Sequence, residues 1–237
     1  MSEWAAKRFW KAADVVSDEA GFSVTLDGRA VKTPLKAPLV LPSQEMAQAI
    51  ALEWDAQDGV IDPTSMPVTR SANAAIDKVS LQHGDVVDML AAYAETDLLC
   101  HRADGPEALV ARQHQHWQPL LDWGAQTHSA PLVVTTGILP AIQPQNSLDS
   151  YRQRIAEFRP FSLTALHDLI MLSGSLVLGL AVAARRIQAD EAWDISRIDE
   201  TFQIEQWGED EDAMEAAALK REAFRHAERF LRLAQGH

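Results

Sequence analysis

Cysteine is nearly missing from this chain. Cys100 is the only one in 237 residues, which rules out an internal disulfide and fits a reducing compartment. Positive charge is also scarce. Twenty-one Lys and Arg face 34 Asp and Glu, for a net charge of −13. That balance argues against a nucleic-acid binder, because phosphate repels the chain and no basic arm offsets it. It argues equally against docking on anionic lipid. The uncharged apolar run Leu169–Ala184 is too short for a bilayer span and is interrupted by Ser173, Gly174, Ser175 and Gly179. It reads as a buried core helix, so no membrane insertion is expected. The first twenty residues include Trp4, Lys7, Arg8 and Glu19. They lack both an apolar signal core and the acid-poor pattern of a transit peptide. Those absences suggest a bacterial protein, or a mature organellar one.

Catalytic signatures are missing too. There is no phosphate loop, no dinucleotide-binding glycine turn and no nucleophile elbow. Ser173 and Ser175 flank Gly174 in an apolar run, where small residues permit close helix packing. His114-Gln-His116 is the best metal candidate, but on a helix residues two apart point roughly 200° apart and cannot share an ion. A metal-dependent hydrolase using His114, His116 and nearby carboxylates is the alternative reading. The main one is a non-enzyme with no cofactor.

What the chain does have is a hydrophobic fraction of 47%, ample for a core. Residues 4–42 read as β-structure. Phe22–Leu26 alternates with period two, Asp27-Gly28 makes a tight turn, and Arg29–Thr33 returns. Pro34, Pro38 and Pro42 confine Leu39–Leu41 to a short or edge strand. Ser43 caps a helix over 44–57 with Met46, Ile50 and Trp54 on one face. Asp62-Pro-Thr-Ser-Met-Pro67 is a turn-rich connector, which sets a division into a β-rich domain at 1–60 and a helical domain at 61–237.

Helices are expected at 68–82 and 85–97 around a His83-Gly84 break, with a short extended piece at Leu98–Cys100. Another runs from Asp104-Gly-Pro106 to about Thr127 and is kinked at Pro119. Leu132–Thr136 fits either a strand or a buried helix start. Helices over 148–157, 162–188, 190–206 and 211–234 close the chain. The fold class is α+β, a small N-terminal sheet or open barrel followed by a larger helical domain.

Two features stand out. Between Asp190 and Glu215 there are eleven carboxylates and one base, Arg197. Such a cluster repels itself. Part of it suits the last helix, whose acids (Glu211, Asp212, Glu215) come first and whose bases (Lys220, Arg221, Arg225, Arg229, Arg232) come later, complementing the helix dipole. The second feature is seven tryptophans: Trp4, Trp10, Trp54, Trp117, Trp123, Trp193 and Trp207. They either fasten helices to the core or anchor an interaction face.

Several stretches, in order along nearly the whole chain, resemble a known family. They include Arg8-Phe-Trp, Phe22–Pro34, Pro38-Leu-Val-Leu-Pro42, Ala51-Leu-Glu-Trp-Asp-Ala-Gln57 and Ile61–Arg70. They continue with Ala72-Asn-Ala-Ala-Ile-Asp77, Asp97-Leu-Leu-Cys-His-Arg102, Trp117-Gln-Pro-Leu-Leu-Asp-Trp123 and Asp199–Gly208. The family is the assembly chaperone of the F-type ATP synthase (ATP synthase assembly factor two). The resemblance implies two domains, no catalysis, and binding of the free α subunit to shield the surface that later pairs with β. It also implies a functional segment ahead of Trp-Gly, here Glu200, Gln203, Trp207 and Gly208. Glu205 in the same helix is included as a partner-binding candidate, and the protein is expected to act as a monomer.

Overall fold

The computed structural model describes residues 7–137 and 139–236, so Trp4 lies outside the described residues. It has a small N-terminal antiparallel sheet followed by helices, the expected α+β class. Two compact units emerge. One takes the chain to Gln82 together with Pro160–Ala165 and the last residues from Arg229. The other takes His83–Arg159 and Leu166–Glu228. The first unit therefore runs past residue 60 and recruits two later segments.

In the first unit, β1 (Ala13–Asp18), β2 (Gly21–Leu26) and β3 (Arg29–Ala30) form the sheet, in that order. Val15 pairs with Val24 and Ala13 with Leu26. The Asp27-Gly28 turn has φ of 47° and 78°, the left-handed pair a two-residue hairpin needs. The Asp27 carboxylate accepts from the Lys11 and Ala12 amides, which ties the start of β1 to this turn and holds the carboxyl below its usual range. Gly21 cannot carry a side chain: at φ 140° an added Cβ would sit 2.9 Å from the Leu41 carbonyl oxygen. Between β3 and α1 the chain makes isolated bridges, Lys32 to Pro38 and Phe22 to Leu41, as the prolines require.

Helix α1 (Gln44–Asp55) covers the sheet with Met46, Ala47 and Ile50, all fully buried. Ser43 caps it by accepting from the Met46 amide. Glu53 in turn accepts from the Val68 and Thr69 amides, satisfying the free donors that open α2 (Pro67–Ala74). A π-helical turn, Ala75–Val79, follows α2, so the expected helix over 68–82 is not uniform. Asp77 on that turn accepts from Thr33 and Leu35.

In the second unit, α3 (His83–Ala91) starts at the expected break, and 3-10 turns follow at Ala92–Glu95 and Leu98–Cys100. The latter replaces the extended piece expected there. Two-residue strands β4 (His101–Arg102) and β5 (Thr135–Thr136) pair in parallel, so only the end of Leu132–Thr136 is a strand. Helix α4 (Glu107–His128) runs through Pro119, and α5 (Gln145–Ala156) packs on α3.

The helix expected over 162–188 is two helices, α6 (Pro160–Ser173) and α7 (Leu176–Ala183). Gly174, at φ 70°, ends the first, and Ser175 caps the second by accepting from the Leu178 amide. The side chain responsible comes from elsewhere: Asp97, fully buried, accepts from Leu99, Ser175 and Val177. Cys100, beside it, is buried and its thiol is pushed up to about 12 by burial and by the Asp97 charge, so it is inert. The expected 190–206 helix also divides, at Arg197, into α8 (Ala189–Ser196) and α9 (Ile198–Trp207). Helix α10 (Glu211–Gln235) ends the chain.

Candidate functional site

Helix α9 has two faces. On the inner one Ile198 and Phe202 are buried, and Asp199 accepts from Gln113 of α4 at 2.6 Å. Glu205 belongs to this side. Arg112 of α4 donates to both its oxygens at 2.8 Å, and the same guanidinium lies over the Phe202 ring at 5.4 Å. The pair holds the Glu205 carboxyl below its usual range, chiefly through the Arg112 hydrogen bond. Trp117 of α4, fully buried, donates its indole N–H to the Ile195 carbonyl and fixes the chain entering α9.

The outer face carries Glu200, Gln203, Ile204 and Trp207, spaced i, i+3, i+4 and i+7, which is one stripe of a helix. Glu200 makes a 2.7 Å ion pair with Arg197, whose guanidinium also covers the Trp193 ring. Gly208 ends α9 with its amide bonded to the Ile204 carbonyl and with φ 92°, a left-handed value that favours glycine. Asp210 then accepts from the Ala213 amide and caps α10. The resulting hairpin encloses an open groove of about 310 Å³ between the outer face of α9 and the first turns of α10. Four of the five sequence candidates, Glu200, Gln203, Trp207 and Gly208, line it; Glu205 does not.

Sequence reasoning missed Ile204 and Met214 as groove walls. The helical stripe from Glu200 was the signal for Ile204, whereas Met214 needed the turn geometry. The tryptophans now separate. Trp10, Trp117 and Trp193 are buried, and Trp54 and Trp123 are half-buried. Trp207 is 81% exposed, with the exposed Ile204 and Met214 beside it in the groove. The alternative metal reading finds no support: His114 and His116 lie exposed on α4. Among the described residues no three His, Cys, Asp or Glu side chains come together to hold an ion. Nor does any helix among those residues have the length and apolarity to cross a membrane.

Comparison with known proteins places this architecture. The crystal structure of Atp12 from Paracoccus denitrificans is 51% identical, with a TM-score of 0.95 over 98% of this chain and all of that one. A crystal structure from Agrobacterium tumefaciens is 39% identical, with a TM-score of 0.90 over 95% of this chain and 85% of that one. The mitochondrial protein atp12 of Schizosaccharomyces pombe is 22% identical over 221 residues, 88% of this chain and 76% of its own. The profile of the ATP12 chaperone protein family matches residues 7–125, ending inside α4 and before the α9–α10 hairpin. With that match over half of the chain and whole-length likeness at 51% identity, the chain belongs to the ATP12 chaperone protein family.

Proposed function

We propose that this protein is a chaperone for assembly of the ATP synthase catalytic head. In this reading it binds the free α subunit as a monomer, shields its interface until β joins, and recognises it through Glu200, Gln203, Trp207 and Gly208. It performs no catalysis and needs no cofactor. Family membership supports the chaperone role, and the compartment would be the bacterial cytoplasm or the mitochondrial matrix. The observation that carries the recognition site is Trp207. A tryptophan left 81% exposed on a helical hairpin contributes little to its own fold, yet tryptophan is enriched among the energetic anchors of interfaces. Glu205, occupied by Arg112, positions α9 rather than touching a partner.

Mixing the chain with purified, aggregation-prone α subunit tests the reading. A complex in gel filtration and suppressed aggregation are expected, with binding that weakens in high salt because the rim is acidic. Absence of both sinks it. Glu200→Lys should weaken the complex and leave the melting temperature near wild type, since the exposed Arg197–Glu200 pair contributes about 0–1 kcal/mol. Collapse of folding instead would make Glu200 structural.

A further inference from the structure

We infer that the α9–α10 groove receives an amphipathic α-helix of the client, one whose apolar stripe is flanked by lysine or arginine. The inference rests on the recognition site proposed above and adds the chemistry of what fills it.

The floor is apolar: Ile204, Trp207 and Met214, with Ala213 and Ala217 small enough to let another backbone approach. The chain beside it is acidic. Asp210 lines the groove, its sequence neighbours Glu209, Glu211 and Asp212 and the following Glu215 are exposed like it, and among the described residues none of the five forms an ion pair. Of the other six carboxylates in the segment four are matched: Asp190 and Asp194 by Arg221 and Arg225, Glu200 by Arg197, and Glu205 by Arg112; Asp199 accepts from Gln113, and Glu191 has no ion pair among the described residues. Five of the segment's seven carboxylates without an ion pair therefore fall at or within five residues of Asp210, which lines the groove. The α10 dipole accounts for acids in its first turn but falls off within that turn, which leaves Glu209 and Glu215 without this compensation. Arg197, the cation in the lining, is committed to Glu200. An apolar floor inside a negative rim complements an apolar stripe with cationic flanks. An anionic lipid surface is repelled by the same rim.

The secondary structure of the occupant follows from backbone hydrogen bonding. Both walls are helices, and the Gly208 amide at the turn is already bonded to Ile204. An extended segment would find no strand edge here, and its own N–H and C=O groups would stay unpaired. A helix satisfies them internally and offers only side chains to the groove. The stripe from Glu200 to Trp207 is about 10 Å long, so the bound helix engages over roughly two turns, with anchors at i, i+3 or i+4, and i+7.

The test uses the full chain and a fluorescent synthetic helix of about 16 residues, with a leucine stripe and lysine flanks. Controls are a scrambled peptide of the same composition and a glutamate-flanked version. Anisotropy should show saturable binding of the first alone. Trp207→Ala, at an exposed position that leaves folding intact by circular dichroism, should weaken it roughly thirtyfold. Joint Glu209→Gln, Asp212→Asn and Glu215→Gln replacement should weaken it and flatten its salt dependence. Equal binding of the scrambled peptide, or an unchanged titration with Trp207→Ala, overturns the inference. So does self-association in sedimentation that Trp207→Ala abolishes, which would seat a second copy in the groove. An α-subunit complex that persists while the lysine-flanked peptide fails to bind overturns this inference alone. Peptide binding without any α-subunit complex overturns the proposed client and leaves the groove's chemistry standing.

Discussion

Removing the Asp97 side chain should loosen the second unit more than any exposed substitution. Its Oδ1 accepts from the Leu99 amide at 3.0 Å and the Ser175 hydroxyl at 2.8 Å, and its Oδ2 from the Val177 amide at 3.0 Å. Asp97→Ala leaves two buried amides and a hydroxyl without partners, a gross loss of roughly 3–9 kcal/mol at about 1–3 each. The carboxyl's own desolvation, several kcal/mol, is recovered and offsets part of it. The net expectation is a loss of about 3 kcal/mol, which in a chain this long lowers Tm by about 6–12 °C. Asp97→Asn keeps Oδ1 and its two bonds while turning an amide N–H₂ toward Val177, so it should cost about 1–2 kcal/mol.

Burial raises the Asp97 carboxyl above its ordinary value of 3.8, against the pull of its hydrogen-bond donors. A raised folded pKa means the associated stability is present below 3.8 and is lost as pH rises through the folded value. The non-titrating Asp97→Asn lacks that slope, and its gap from wild type should narrow as pH rises. Urea unfolding followed by circular dichroism measures the costs, and amide exchange at Leu99 and Val177 locates them. A loss below about 1 kcal/mol for Asp97→Ala, or an Asn variant as damaged as the Ala one, would refute the reasoning.

Gly179→Ala gains about 1 kcal/mol of helix propensity, but its Cβ would lie 2.6 Å from Ile170 Cγ1 and 3.4 Å from the Ile170 nitrogen. Overpacking of about 1–3 kcal/mol should win and leave the variant about 1–2 kcal/mol less stable; a rise in Tm would show that Ile170 yields freely. For the Arg112–Glu205 pair the folded Glu205 pKa is depressed, so its stabilisation is present above the ordinary 4.5 and is lost as pH falls through the folded value. The Tm difference between wild type and Arg112→Gln should therefore shrink in acid without vanishing, because the contact with Phe202 does not titrate. A difference that grows in acid contradicts the assignment.

What the sequence revealed was local. Asp27-Gly28, the Ser43 cap and the dipole-ordered charges of α10 act within a few residues, and each appears where its own chemistry puts it. Strand β1 carried no such signal: Ala13–Asp18 is mostly exposed, and its register is set by pairing with β2. The break at Gly174 was hidden inside an apolar run because it is stabilised by Asp97, 78 residues from Ser175. The same holds at the candidate site. Glu205 sits about 140° around the helix from Glu200, a phase the sequence already contained. Its partner Arg112, 93 residues away, is what turns that phase into a buttress. Glu200, Gln203 and Trp207 came from the family resemblance, and the structure adds that one stripe of one helix holds them. The groove was not, because its other wall depends on the angle of the Gly208 turn.

The acidic segment divides by task, and the division bears on how a client is captured and released. The carboxylates matched by Arg112, Arg221 and Arg225 tie α9 to α4 and α8 to α10, so the hairpin is held in place before a partner arrives. Holding it lowers the ordering cost of binding. The unmatched carboxylates act at longer range, over a Debye length of about 8 Å at physiological salt, and chiefly set the rate of encounter. In the proposed reading Ile204, Trp207 and Met214 act only in contact and chiefly set the rate of escape. In the same reading, rapid capture of an unassembled subunit and its later surrender are therefore governed by different side chains. Charge at the rim can be strong without making the complex permanent, provided the apolar floor stays as small as a two-turn stripe.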